Sequence, residues 1–182
     1  MRIEVVPGEV RVVVPLGTKA ATINLFVNSK QNWIKKKLAS FKQTQSCFAT
    51  DKDKILLFGE LFKSQDVISL AENDKMDLDA WLDSKLLALL EDLLTKYPGL
   101  IPLRIRLGNA RTRWGSCNAK GVVMINRKLV HAPIDVIEYV LVHELVHLKH
   151  RNHSRLFWSE LAGILDDYQS PRIWLRGHGA YL

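Results

Sequence analysis

The sequence predicts an α+β fold, in which a small mixed or antiparallel sheet packs on a buried helix and an N-terminal α/β extension precedes them. Three observations predict it. Apolar and polar residues alternate over Leu103–Leu107, a wide apolar stripe with helical period runs over Asp79–Tyr97, and Ile134–Leu148 is apolar on nearly every face. A chain of 182 residues that is 47% hydrophobic can bury a core without disulfides.

Residues 1–78 are expected to form a strand, helix and hairpin region that packs on the remainder as part of one compact unit. β-Branched runs, helical spacing and a glycine-split hairpin pattern define its elements. The predicted elements are a strand at Val10–Val14, a helix at Thr22–Phe41, a hairpin of Ile55–Phe58 and Glu60–Lys63, and a further strand at Val67–Leu70.

Residues 79–182 are expected to form the second region of this unit. Acidic residues begin the helix over Asp79–Tyr97 and Pro98-Gly99 ends it. After the strand at Leu103–Leu107, the segments Trp114–Cys117 and Val122–Asn126 flank a four-residue loop and predict a hairpin. Pro133 is suited to start the buried helix, and Ser154 is suited to cap a second one.

Charge and cysteine content narrow the function classes. The net charge of +7 is concentrated in residues 92–182, where 13 Lys and Arg face 7 Asp and Glu. This excess is typical of a solvated face or of a field that attracts an anionic substrate or nucleic acid. Two cysteines, Cys47 and Cys117, are too few for a disulfide framework, and no apolar run predicts a signal peptide or membrane span. We therefore expect a cytoplasmic protein.

The buried helix carries the sequence His143-Glu144-Leu145-Val146-His147. Because four residues make about one helical turn, the two imidazoles share a face and can bind one cation. Glu144 lies about 100° further round the helix, within reach of a water on that metal. Two histidines and a glutamate in adjoining turns of a buried helix would otherwise be costly, which favours a metal site over buried histidines satisfied by hydrogen bonds.

A catalytic zinc site needs a third protein ligand. His150 would overshoot on a continuing helix, because it lies about 10.5 Å beyond His143 along the axis. Asn152 is suited to a left-handed helix terminus, so the chain should turn there and return His153 to the metal. His153 is the favoured third ligand, with His150 and Glu160 as alternatives.

Several segments together resemble a known family, the YgjP-like metallopeptidase domain, which is akin to the SprT-like and other zincin peptidases. They are Arg113–Cys117, Gly121, Asn126, Leu129, Pro133, Tyr139-Val140, His143–Leu148, Asn152–Ser154 and Phe157-Trp158. The resemblance covers nearly the whole chain, with the densest match from about Arg106 to Tyr168. One departure is Asp166-Asp167 before Tyr168, where members often have a proline.

The resemblance implies a zincin-like α+β fold in which residues 79–182 are the metal-binding catalytic region. It implies one zinc ion per chain held by His143, His147 and His153, and Glu144 as the general base that activates a metal-bound water. It implies peptide hydrolysis, although some members have been described as pyrophosphatases acting on UTP.

Arg111, Arg113 and Ser116 are candidate substrate-binding residues, and Arg111, Arg113 or Lys120 would serve a nucleotide. A nucleic-acid-associated protease and a non-catalytic zinc-stabilised module that binds nucleic acid or protein are further alternatives. Cys117 is expected to be a small buried residue rather than a nucleophile. The sequence assigns no role to His131 or His178 and gives no oligomeric state.

Overall fold

The fold was analysed in a computed structural model, which describes residues 1–6, 9–32, 34, 35 and 53–182. The chain divides into two compact units, one of Met1–Thr50 with Leu175–Tyr181 and one of Asp51–Trp174 with Leu182. The predicted boundary between an N-terminal region, residues 1–78, and a catalytic region, residues 79–182, is a division by function and stays a prediction. Within the described part of the chain, no helix has both the length and the apolar character needed to cross a bilayer.

The first unit contains an antiparallel hairpin of β1 (Arg2–Val6) and β2 (Glu9–Val13), followed by α1 (Ala20–Ser29). The prediction of a strand near Val10–Val14 is confirmed, whereas β1 was not predicted. The helix predicted over Thr22–Phe41 is interrupted at Lys30, where the backbone leaves helical geometry. Positions 33 and 36–41 of that prediction lie outside the described residues.

The second unit begins with the predicted hairpin, β3 (Lys54–Leu57) and β4 (Glu60–Lys63), joined through Phe58 and Gly59 at positive φ. The strand predicted at Val67–Leu70 is wrong, because these residues lie in α2 (Ser64–Asn73). Val67 and Ala71 are both buried and are four residues apart, as on one face of a helix. This helical spacing of apolar residues is visible only when the sequence is read past Leu70, the last residue of the predicted strand.

The long helix α3 (Leu78–Thr95) confirms the prediction from Asp79–Tyr97. Asp77 caps it by accepting a hydrogen bond of 2.9 Å from the backbone N–H of Ala80. Its apolar stripe contributes Trp81, Leu82, Leu86, Leu90 and Leu93 to the core.

A mixed three-stranded sheet has the order β5-β7-β6, with β5 (Arg104–Gly108) parallel and β6 (Gly115–Cys117) antiparallel to the central β7 (Val122–Asn126). The predicted hairpin of the last two strands is confirmed, and Asn118 closes its loop by accepting from the N–H groups of Lys120 and Val122. Strand β6 is therefore an edge of this sheet.

After a short 3₁₀ helix (Arg127–His131), α4 (Ile134–Val146) packs against β6, β7, α3 and α5 (Arg155–Ile164). Pro133 stands just before α4 rather than at its first position. The prediction that this helix is buried is confirmed by its fully covered apolar residues, which include Val136, Ile137, Leu141, Val142, Leu145 and Val146. Ser154 caps α5 as predicted, and α6 (Gln169–His178) and a final 3₁₀ turn (Gly179–Tyr181) follow.

Candidate metal centre

The last turn of α4 and the loop after it bring three histidines together. His143 lies inside α4, His147 stands at its C-terminal end, and His153 follows in the loop before α5. One ring nitrogen from each lies within 4.8 Å of those of the other two, and the Nε2 atoms of His143 and His153 are 2.9 Å apart. Among the His, Cys, Asp and Glu side chains of the described residues, these three histidines form the group that could share a metal ion.

The way in which α4 ends and the following loop brings His153 back differs from the prediction. Asn152 does not adopt the left-handed conformation, since Phe58 and Lys75 are the non-glycine described residues with positive φ. Instead, α4 ends at Val146 and tightens, with Leu148 N–H donating to the carbonyl of Leu145 and Lys149 N–H to that of Val146. These i to i+3 bonds end the helix one turn earlier than expected, and the loop brings His153 back.

The Nδ1 atoms of His147 and His143 differ in their surroundings. Nδ1 of His147 lies 2.8 Å from the carbonyl oxygen of His150, which can only accept, so Nδ1 donates this hydrogen bond and Nε2 is the nitrogen left for a metal. Nδ1 of His143 is buried and has no hydrogen-bond partner among the described residues. Burial, followed by the neighbouring His147 and His153, lowers the pKa of His143 to about 3. His143 is therefore neutral, which is the protonation state of a metal ligand.

The donor set fits a zinc ion. Two nitrogens that bind one zinc at about 2.1 Å lie no more than roughly 4.2 Å apart, so the observed spread of up to 4.8 Å is close to the required one. Three converging imidazoles with one buried unpartnered nitrogen would be poorly satisfied by each other alone, because a neutral imidazole offers one donor and one acceptor. Imidazole nitrogens are ligands that zinc prefers.

Aromatic side chains of α5 hold the three histidines in place. Phe157 is fully buried, and its ring centroid lies 4.7–4.8 Å from those of His143, His147 and His153. Trp158 stacks on His153 at 5.7 Å and lies 6.0 Å from His143. Phe157 and Trp158 therefore pack the loop that carries His153 against α4.

Glu144 lies on α4 beside the edge strand β6. Its side chain is 7% exposed, and its carboxylate accepts a hydrogen bond from the backbone N–H of Cys117. Burial raises the pKa of Glu144 to about 7, while the Arg113 guanidinium and the Cys117 hydrogen bond act in the opposite direction. The structure therefore gives this carboxyl group a pKa suited to exchanging a proton near neutral pH.

The other predicted site residues occupy different surroundings. Arg113 is exposed but close enough to Glu144 to influence its pKa, whereas Arg111 is exposed in the segment before β6. Ser116 pairs with Met124 in the β6–β7 ladder, and alternation along the strand turns its side chain away from the face of Gly115 and Cys117. Cys117 is half-buried, and burial raises the pKa of its thiol, which disfavours the nucleophilic thiolate.

The two alternative third ligands pair with each other. Nε2 of His150 lies 3.5 Å from Oε2 of Glu160, whose other oxygen accepts a bond of 2.7 Å from Lys149 Nζ. Of the histidines without an assigned role, His131 contacts the carbonyl oxygen of Leu56 through Nδ1. The His150 side chain and Glu160 thus lie in an ion-pair cluster beside the three-histidine group.

Two arginines near the centre were not predicted. Arg151 donates to the backbone carbonyls of Asn118 and Ala119 at 2.8 and 3.1 Å, which ties the loop after α4 to the β6–β7 turn. Arg172 lies in α6 with its guanidinium carbon 4.7 Å from the centre of the Trp158 ring. The four-residue spacing of Tyr168 and Arg172 is the signal in the sequence that could have placed both side chains on one face. Because no helix was predicted in this segment, that spacing was not informative.

Comparison with known proteins defines the class as a metallopeptidase domain. The family described as "YgjP-like, metallopeptidase domain" matches residues 1–65 and 64–178. The chain therefore belongs to the YgjP-like family. Among solved structures, the metallopeptidase zymogen abylysin of Pyrococcus abyssi is similar, with a TM-score of 0.42 and 22% identity over 50% of this chain and 93% of that one. No curated protein matches the chain in sequence.

Proposed function

We propose that this chain is a zinc-dependent peptidase with a zincin-like arrangement. In this proposal His143, His147 and His153 hold one zinc ion, Glu144 is the general base and the substrate is a polypeptide. The observation that carries it is the convergence of the three imidazoles, together with a buried carboxylate at Glu144, the helix position next to His143. Membership of a metallopeptidase family supports the reaction class.

The chemistry of the residues supports separate roles for the zinc ion and for Glu144. A zinc ion in such a site polarises the scissile carbonyl and makes water more acidic. Glu144 accepts the proton of the attacking water and delivers it to the departing amine, which requires a pKa near the working pH. Cys117 N–H fixes one face of that carboxylate, and Phe157 and the His150 carbonyl fix the ring orientations.

The ligand set favours catalysis over a structural role. A structural zinc site is closed by four protein ligands, whereas a catalytic site keeps one position open. Among the described residues, the group that can share a metal contains three histidines and no cysteine, and His153 is exposed to solvent. An open, solvent-facing centre next to a general base is the arrangement expected of a hydrolase.

The decisive experiment is Glu144→Gln. The substitution preserves shape and leaves the three histidines intact, so we expect unchanged zinc content and a loss of hydrolysis of about 10²- to 10⁴-fold. Zinc is measured by elemental analysis and hydrolysis on an unstructured polypeptide and on UTP in parallel. His143→Ala is the reference for a variant that loses metal. Loss of zinc in Glu144→Gln would make Glu144 a ligand, and turnover of UTP without peptide cleavage would replace peptidase by pyrophosphatase.

A further inference from the structure

An exposed arginine stands one aromatic ring away from the candidate metal centre. The guanidinium carbon of Arg172 lies 4.7 Å from the centre of the Trp158 ring, and that ring stacks on His153 at 5.7 Å with an angle of 27° between the planes. Tyr168 stacks on Trp158 at 5.8 Å. The aromatic contacts thus hold the cation close to the histidines without using its hydrogen-bond donors.

The charge of Arg172 has no counterion in the described part of the chain. Its contact with the Trp158 ring is accompanied by no ion pair or hydrogen bond to a described residue. By contrast, Arg127 donates two bonds of 3.1 and 2.6 Å to the carboxylate of Asp83. Among the described residues, none occupies the planar donor edge of Arg172, whose side chain is exposed.

Helix stability does not account for this arginine. Arg172 lies in the first turn of α6, which contains no acidic residue, and the positive end of the helix dipole disfavours a cation there. Arg172 is nevertheless placed beside the metal centre, since the ring of Trp158 on which it lies is stacked on His153. These observations together indicate a cation kept near the site for a ligand.

We propose that Arg172 binds a carboxylate of the peptide substrate and determines specificity at this centre. This inference rests on the proposed peptidase function. The guanidinium fork matches a single carboxylate through two parallel hydrogen bonds, and stacking on Trp158 reduces the conformational entropy lost when they form. One guanidinium fork matches one carboxylate, whereas a triphosphate would require several cations.

The carboxylate has two possible sources, the C-terminus of the substrate or an Asp or Glu side chain near the scissile bond. Four matched peptides separate them: one with both groups, one amidated at the C-terminus, one with Asn or Gln in place of the acid, and one with both changes. Loss of affinity on amidation assigns the terminal carboxylate, and loss on the side-chain change assigns the acidic residue.

The test measures binding and cleavage separately. Binding is measured by calorimetry on the zinc-loaded Glu144→Gln protein, in which the peptides stay intact. We expect Arg172→Gln in that background to weaken the peptide with both carboxylates about 10-fold and to leave the doubly neutral peptide within about 2-fold. Arg172→Lys should recover part of the affinity, because it restores charge without the fork. Arg176→Gln, one turn further along α6 and also exposed, is the charge-matched control and should change neither.

Cleavage distinguishes failure of this inference from failure of the peptidase assignment. With Glu144 intact, Arg172→Gln should raise KM for the acidic peptide and leave the neutral one unaffected. Equal binding of acidic and neutral peptides by the zinc-loaded Glu144→Gln protein would overturn the role of Arg172 while leaving a peptidase in place. If Arg172→Gln weakened the binding of inorganic phosphate more than that of the acidic peptide, carboxylate recognition by Arg172 would also be overturned. Absence of cleavage of every peptide would overturn the peptidase function itself.

Discussion

Gly115 lies directly against the side chain of Glu144. A Cβ atom at Gly115 would be 2.6 Å from Glu144 Cγ and 2.7 Å from its Oε1, distances that real Cβ contacts do not reach. The N–H groups of β6 that point away from β7 include that of Cys117, which donates to the same carboxylate. Glycine is needed here for space rather than for a turn, because the edge strand approaches the carboxylate so closely.

We therefore predict that Gly115→Ala impairs hydrolysis while zinc is retained. The added methyl group must displace Glu144, which is not a ligand in our proposal, and a shift of about 1 Å in a reacting group can cost on the order of 10²-fold in rate. Activity and zinc content are measured on the same preparation. Gly163→Ala in α5, where an added Cβ meets nothing within 4 Å, is the matched control. Unchanged kcat/KM in Gly115→Ala would show that the position of Glu144 is not critical.

The contacts of the histidines predict the order in which their loss affects zinc. His143→Ala and His147→Ala should abolish zinc binding, and His153→Ala should weaken it far more than His150→Ala. His150 holds His147 through its backbone carbonyl, which the alanine variant retains, while its side chain faces Glu160. Titration with a chromogenic chelator measures the four affinities. Stronger weakening by His150→Ala than by His153→Ala would contradict the assigned third ligand.

Protonation of Glu144 predicts how the stability of metal-free protein depends on pH. Its pKa is raised from 4.5 to about 7 in the folded state, so the folded chain binds more protons than the unfolded chain between these values. The contribution of Glu144 is therefore most favourable below pH 4.5 and is lost as pH rises through about 7. Relative to Glu144→Gln, which stays neutral, the parent protein should lose roughly 2 to 3 kcal/mol between pH 4.5 and pH 8.

Denaturant unfolding of both metal-free proteins at several pH values measures this difference. Comparing the two proteins cancels the titration of the other groups, so the difference in the free energy of unfolding isolates position 144. A difference that stays constant with pH would mean that the burial of Glu144 does not disfavour its charge.

The parts of this site that depend on short stretches of sequence could be predicted. The spacing of His143 and His147 fixes a shared helical face, and Ser154 provides the cap that starts the next helix. The expectation that the helix ends before His153 is confirmed, although the expected geometry at Asn152 was wrong. Local hydrogen bonding decides how a helix ends, and several endings return the chain to a similar place.

Contacts between distant segments could not be predicted. Gly115 and Glu144 lie on different elements, and the sequence carries no sign of their approach. Arg172 was missed because α6 is polar and contains Pro171 near its start, so no apolar period indicates a helix. The strand expected at Val67–Leu70 failed for a related reason, since a four-residue apolar run does not distinguish a strand from one turn of helix.

Phe157 predicts a coupling between core packing and zinc affinity. It is fully buried and contacts all three imidazoles, so Phe157→Ala should lower the free energy of unfolding by about 3 to 5 kcal/mol and leave the rings free to move. Because zinc binding then requires those rings to be ordered, affinity should fall in the folded variant as well. Phe157→Leu, which keeps most of the volume, separates the two effects by retaining stability while it loses the flat ring surface. Leu161→Ala on the same helix, buried but without a ring contact to the histidines, should cost stability and leave the zinc affinity of the folded protein nearly unchanged. Equal zinc affinities in Phe157→Leu, Leu161→Ala and the parent protein would show that the histidines are held by the backbone alone.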